Sequence, residues 1–197
     1  GLPDADPARA DLVAAERKLF DVHGEEWAAP FRAAGATPEF RRGFVDEILV
    51  AAPPFLRHAH DLFAAGPVRR LPLIDVGAHL GPVLRCPYLS RLSALTVFGA
   101  HLGEPLGLGV ARCPHLSELR ELHLGRNRLT DAAADALAGS PVLSNLEVLD
   151  LWGNELTETA ARALAASPHL AGVRRLDLKG NPIGPAGAEA VAGSDRL

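Results

Sequence analysis

The chain has 197 residues, 48% of them hydrophobic, with 24 acidic and 20 basic side chains and a formal net charge of −4. That apolar content is enough to bury a core and excludes intrinsic disorder as the organising state. No Lys/Arg run exceeds a pair (as at Arg41-Arg42, Arg69-Arg70 and Arg174-Arg175), which argues against a nucleic-acid or anionic-membrane surface, because either needs a clustered basic face.

In chain order, the first expected element is an amphipathic helix over 7–24, with Leu12, Val13, Leu19, Phe20 and Val22 around it and Gly24 as its end. The string EEWAAPFRAAG (25–35) predicts a second short helix carrying Trp27 and Phe31. Residues 1–43 therefore read as an N-terminal helical cap, and Leu19, Trp27 and Phe31 are expected to seal the coil that follows. A strand over 45–50 puts Val45, Ile48 and Val50 on one side. The segment 53–67 then predicts a helix that begins with proline, where proline is tolerated.

From residue 68 the chain repeats. VRRLPLIDVGA (68–78) and LSALTVFGAHL (92–102) are followed by LRELHLGRNRL (119–129), LEVLDLWGNEL (146–156) and VRRLDLKGNPI (173–183). The last four copies start 27 residues apart. Each predicts a strand, at 68–73, 92–97, 119–124, 146–151 and 173–178, whose first, fourth and sixth residues point inward. Asn127, Asn154 and Asn181 hold the ninth position, where an amide side chain can satisfy backbone groups in the turn that leaves the strand. Val76 and Ala100 stand there in the earlier copies, so an asparagine ladder is expected through the last three coils only. Cys86-Pro87, Cys113-Pro114, Ser140-Pro141 and Ser167-Pro168 mark the same period, and Ser194 continues it. Ala-rich segments at 130–141 and 157–168 predict helices between the strands, capped by Thr130 and Thr157 and stopped by the prolines. One such coil cannot bury its apolar side alone and must stack on its neighbours.

The pattern L-x-x-L-x-L-x-x-N-x-L resembles the leucine-rich repeat. At 27 residues per strand-plus-helix unit it is similar to the ribonuclease-inhibitor-like class. That resemblance implies an α/β, right-handed solenoid or horseshoe over 44–197, with parallel strands on the concave side and helices on the convex side. HGEEWAAPFRAAG (23–35) and the following EFRRGFVDEILVAAPPFLRHAHDLFAAGPVRRLPL resemble the bacterial repeat-companion domain over about residues 8–75. The family carries no established activity to transfer. Its members usually begin with a further helical segment, which with the absence of Met at position 1 suggests a processed or shortened start. The Ala-, Gly- and Pro-rich, lysine-poor composition fits a GC-rich bacterial genome.

Residues with reactive chemistry have bland explanations. His58 and His60 lie two apart on a predicted helix and point in different directions. His115 and His169 occupy a slot that holds Tyr88 and Val142 in other coils. Cys86 and Cys113 stand where Ser140 and Ser167 stand later, which marks a small buried position at a turn. No phosphate loop, nucleophile elbow or Cys-x-x-Cys pair is present. The expectation is therefore no catalytic site, no metal and no cofactor. With no signal-type or long apolar run, a cytoplasmic location is expected.

The outward strand positions carry the functional reading. Trp152 and Phe98 are large aromatics on a face that should be wet, beside His123, Asp150, Asp177, Lys179 and the turn residue Arg126. Aromatics with a polar rim are typical of protein-binding anchors. The alternative is that each ring merely packs on a neighbour across the sheet. The chain thus reads as a protein-interaction module using its concave face on a protein partner that the sequence does not name, not on nucleic acid or membrane. A structural spacer in a larger protein, or an enzyme subunit, are the alternatives. No strand follows 173–178, so further sequence or self-association between copies at that edge is expected.

Overall fold

Leu119, Leu122 and Leu124 recur 27 residues later as Leu146, Leu149 and Leu151, and all six are buried. Strand geometry places such residues on one side only, so successive coils lay their strands edge to edge and turn their leucines inward together. The computed structural model describes residues 7–196 and joins seven strands in one sheet, in chain order. They are β1 (Ala36–Arg41), β2 (Phe44–Ala51), β3 (Arg70–Ile74), β4 (Ala94–Val97), β5 (Glu121–His123), β6 (Val148–Asp150) and β7 (Arg175–Asp177). From β2 to β7 every pairing is parallel. The six expected strands are all present, with ends shifted by at most two residues.

Helices alternate with these strands: α1 (Pro7–Ala33), α2 (Ala52–Ala65), α3 (Leu80–Leu84), α4 (Glu104–Ala111), α5 (Asp131–Ala138), α6 (Glu158–Ala166) and α7 (Gly184–Ala192). From α4 to α7 each packs on the next. Small residues set that spacing. A methyl group on Gly107 would lie 2.5 Å from the Ala133 Cβ, so α4 and α5 approach too closely for any side chain there. Ala133, Ala134, Ala160 and Ala161 are likewise buried.

The N-terminal region departs from expectation in three ways. First, 7–24 and 25–35 do not form two helices. α1 runs unbroken through Gly24 and Pro30. The ring of Phe20 lies over Gly24, where an added Cβ would be 3.0 Å away, and meets Phe40 of β1 edge-on at 4.9 Å. Tertiary contact thus holds the helix through a residue that would otherwise end it. Second, β1 was not expected. It pairs antiparallel with β2 through a turn in which Arg42 (φ 51°) and Gly43 (φ 78°) are both left-handed, the hairpin geometry that Asn-Gly signals more strongly than Arg-Gly. Third, Leu19 does not seal the first coil. It is 54% exposed, as are Val13 and Val22 in larger part, whereas Phe31 is fully buried and Trp27 half-buried against His23. The side chain of Leu12 lies outside those described, as do residues 1–6.

Two polar ladders tie the coils together. Asn154 accepts from the backbone N–H of Asn127 (2.9 Å) and Leu129 (3.0 Å) and donates to the carbonyls of Leu124 (3.1 Å) and Leu151 (2.8 Å). Asn127 donates to Val97 O (2.6 Å) and accepts from Ala100 N (3.1 Å). Asn181 repeats the pattern toward Leu151 O (2.9 Å) and Leu156 N (3.1 Å). The amides satisfy turn groups that have no strand partner. The second ladder was not foreseen. At each helix end one small side chain donates back to the preceding coil: Cys113 to Leu84 O (3.1 Å), Ser140 to Ala111 O (2.6 Å), Ser167 to Ala138 O (2.5 Å) and Ser194 to Ala165 O (2.7 Å). Of the two expected caps, Thr157 accepts from Thr159 N (3.3 Å). Thr130 makes no capping bond, and its hydroxyl is buried without a partner among the described residues.

Candidate functional site

The third, fifth and seventh residues of each strand repeat face away from the leucine core. At the seventh position stand Phe98, Gly125, Trp152 and Lys179 on successive coils. Phe98 and Trp152 are two strands apart, about 9.6 Å at ordinary strand spacing. Their rings nevertheless stack, parallel to within 2°, with centroids 5.8 Å apart. Gly125 makes this possible: a Cβ on it would stand 3.2 Å from the Phe98 ring, inside the space the stack occupies. The Arg126 guanidinium lies 4.9 Å from the Trp152 ring centroid, a cation–π contact. The stack leaves Phe98 51% exposed and Trp152 half-buried. Packing across the sheet and exposure to solvent therefore coexist in one feature.

Beside the aromatics runs a chain of charges. Arg70 on β3 donates through Nε to Glu47 on β2 (3.0 Å) and through both Nη groups to Glu121 on β5 (2.8 and 2.9 Å). β4 lies between, and the residue there is Ala94, whose methyl group lets the arginine pass above it. His123 then sits 3.5 Å from both Glu121 Oε2 and Asp150 Oδ2. The bidentate bond from Arg70 holds the Glu121 carboxyl below the usual carboxylate range, and the same bond raises the Arg70 guanidinium further above its ordinary value.

The seven residues singled out in the sequence fall into three groups. Phe98, Trp152 and Arg126 form one plate. His123 and Asp150 meet each other, and Asp150 also accepts from the Trp152 backbone N–H (2.9 Å). Asp177 and Lys179 lie one strand on, where the Asp177 carboxylate accepts from Lys179 N (2.9 Å), and their side chains do not join the plate. Sequence reasoning missed Glu47, Arg70 and Glu121 as a unit. Their signal was an alternation of charge at the third position with one alanine between.

His58, His60 and the two cysteines have ordinary structural surroundings. His60 Nδ1 lies 2.8 Å from the Tyr88 hydroxyl, and His58 pairs with Asp61 at 3.8 Å. Burial pushes both thiols, Cys86 and Cys113, up from their ordinary value. Among the described residues no group of three or more His, Cys, Asp or Glu side chains is placed to hold a metal ion. No helix among them is long and apolar enough to cross a membrane.

No curated protein matches the chain. Leucine rich repeats generally mediate protein–protein contact and are typically binding modules without enzymatic activity. Residues 117–183, which carry β5 to β7 and the asparagine ladder, match the leucine rich repeat family.

Proposed function

We propose that the protein is an interaction module that engages a protein partner on the concave, strand-lined face of a right-handed solenoid. Phe98, Trp152 and Arg126 form its anchor, and His123, Asp150, Asp177 and Lys179 its polar rim. One observation carries this reading: a tryptophan, a phenylalanine and an arginine are assembled into a single plate over a glycine, with half of the phenylalanine left in water. Binding energy in interfaces concentrates on such aromatic and arginine anchors. In this reading residues 1–43 act as the cap and 44–197 as the solenoid, with β1 counted in the cap.

The test is affinity capture from the native host, comparing the intact protein with Trp152→Ala and Phe98→Ala, followed by measurement of Kd with the purified prey. Trp152→Ala should weaken binding by about 2 kcal/mol or more. Its stability should fall by less than the about 3–5 kcal/mol of a fully buried tryptophan, because the ring is half-exposed. Prey that binds both variants as tightly as the parent would place the interface elsewhere. Self-association at the outer edge of β7, which no described strand covers, belongs to the same proposal. Sedimentation velocity that shows an unchanged monomer at rising concentration would remove it.

A further inference from the structure

The turn that leaves each strand passes through a left-handed residue. In three coils that residue is glycine: Gly99 (φ 63°), Gly153 (φ 66°) and Gly180 (φ 68°). In the coil between Gly99 and Gly153 it is Arg126 (φ 55°), and in the β3 coil it is Asp75 (φ 52°), although a side chain is strained in this conformation. Two further cation-capable residues share the strain close by, Arg128 (φ 61°) in the same turn and His101 (φ 51°) one coil earlier. Strained non-glycine residues gather where the side chain is needed for something other than folding.

All three line one cleft of about 440 Å³, together with Phe98, Gly99 and Gly153. Among the described residues Arg126 makes no hydrogen bond or ion pair with a carboxylate. Its guanidinium carbon lies 4.9 Å over the Trp152 ring centroid, a contact that uses none of its N–H donors. Arg128 spends its Nε on Glu155 (3.0 Å) and keeps its Nη groups. His101 is exposed. In a chain of net charge −4, this corner gathers unspent donors next to an exposed aromatic ring.

We infer that this cleft takes a carboxylate side chain from an acidic peptide segment of the partner, with an apolar residue of that segment covering Phe98. The inference rests on the proposed role of this face in protein binding. Planar guanidinium forks match carboxylates bidentately. A polyphosphate backbone fits less well, because Glu121, Asp150 and Asp177 line the adjoining strands and Glu155 the adjoining turn and would repel it, whereas an isolated carboxylate can enter at the turn alone.

A random peptide library displayed on phage, selected on the intact protein, tests this. Enriched peptides should carry Asp or Glu next to an aliphatic or aromatic residue. Their synthetic forms should bind Arg126→Gly roughly tenfold more weakly, and added salt should weaken binding to the parent protein. Glycine is what three other coils use at this position, so Arg126→Gly should melt at the parent temperature or above it. Peptides without acidic bias that bind Arg126→Gly as well as the parent, yet lose affinity for Trp152→Ala, would overturn the acidic assignment and leave the protein-binding face standing. Peptides indifferent to both substitutions would overturn both. Arg126-dependent binding of a single-stranded RNA oligonucleotide tighter than any selected peptide would also overturn it.

Discussion

Arg70 on β3 and Glu121 on β5 are joined by two parallel hydrogen bonds of 2.8 and 2.9 Å that span the intervening strand at Ala94. Glu121→Gln should cost about 1 kcal/mol, the upper range for a partly exposed pair with good geometry. Arg70→Ala should cost more, because it also leaves Glu47 without its guanidinium. The folded Glu121 carboxyl titrates below its unfolded value, so its contribution is fully present above about pH 4.3 and is lost as pH falls through the lower, folded value. Urea melts of parent and Glu121→Gln should therefore differ at neutral pH and converge in acid. A difference that grows in acid would contradict the pairing. Ala94→Leu should break the bridge without touching either charge, since the larger side chain fills the path above β4.

The asparagine ladder should be worth more than any surface ion pair. Asn154 is buried and satisfies two donors and two acceptors of the backbone. Asn154→Ala strands those groups, at about 1–3 kcal/mol for each that water does not reach. Chemical denaturation should show a loss of about 3 kcal/mol or more. Amide exchange at Asn127 and Leu129 should accelerate before that of the neighbouring strands. A loss below about 1 kcal/mol would mean that water replaces the amide.

The helix-end ladder gives the opposite kind of outcome. Cys113 donates from sulfur over 3.1 Å where Ser140 donates from oxygen over 2.6 Å. Cys113→Ser should be neutral or stabilising, since the hydroxyl is the stronger donor and the next three coils accept it. Ser140→Ala should cost about 1–3 kcal/mol by leaving Ala111 O unpaired. Thiol labelling at neutral pH should be slow until the protein unfolds, because burial keeps both cysteines protonated. Rapid labelling of the folded protein would show that the turn opens.

At the N-terminal end two apolar residues should behave unlike each other. Phe31 is 1% exposed, and Phe31→Ala should cost about 3–5 kcal/mol. Leu19→Ala should lie within about 0.5 kcal/mol of the parent. If both prove costly in thermal melts, the exposed side of α1 is covered in solution by contacts beyond the described residues.

Strand positions, their parallel order and the inward residues were legible because a period-two burial pattern and a 27-residue repeat both restrict the register. Each leucine triplet confirms its neighbour. Gly24 misled because local propensity was set against a tertiary contact, the Phe20 ring on Phe40, that no short window contains. β1 was missed since ATPEFR carries a proline and two charges, which suit an edge strand but look like a loop in isolation. At the site, the facing of Phe98 and Trp152 was readable while their stacking was not. It depends on the absence of a side chain at Gly125 and on two rings leaning across a strand. The left-handed backbone at Arg126, Arg128 and His101 left no mark on the residue types, since glycine is the expected occupant.

Both ladders join atoms whose separation follows the repeat length, so the chain can be shortened like a stack of interchangeable tiles. Asn154 bonds Asn127 N across 27 residues, and Ser167 bonds Ala138 O across 29. Excising 146–172 removes 27 residues and brings Asn181 to the place of Asn154 and Ser194 to the place of Ser167. The broken bonds of both ladders then have chemically identical replacements in phase. Removing one residue fewer would leave both ladders out of phase with the strands and turn the last leucines toward water. The array is thus additive in whole coils and intolerant of fractions. Trp152 would leave with the excised tile, which separates the cost of losing the anchor from the cost of unmaking the scaffold.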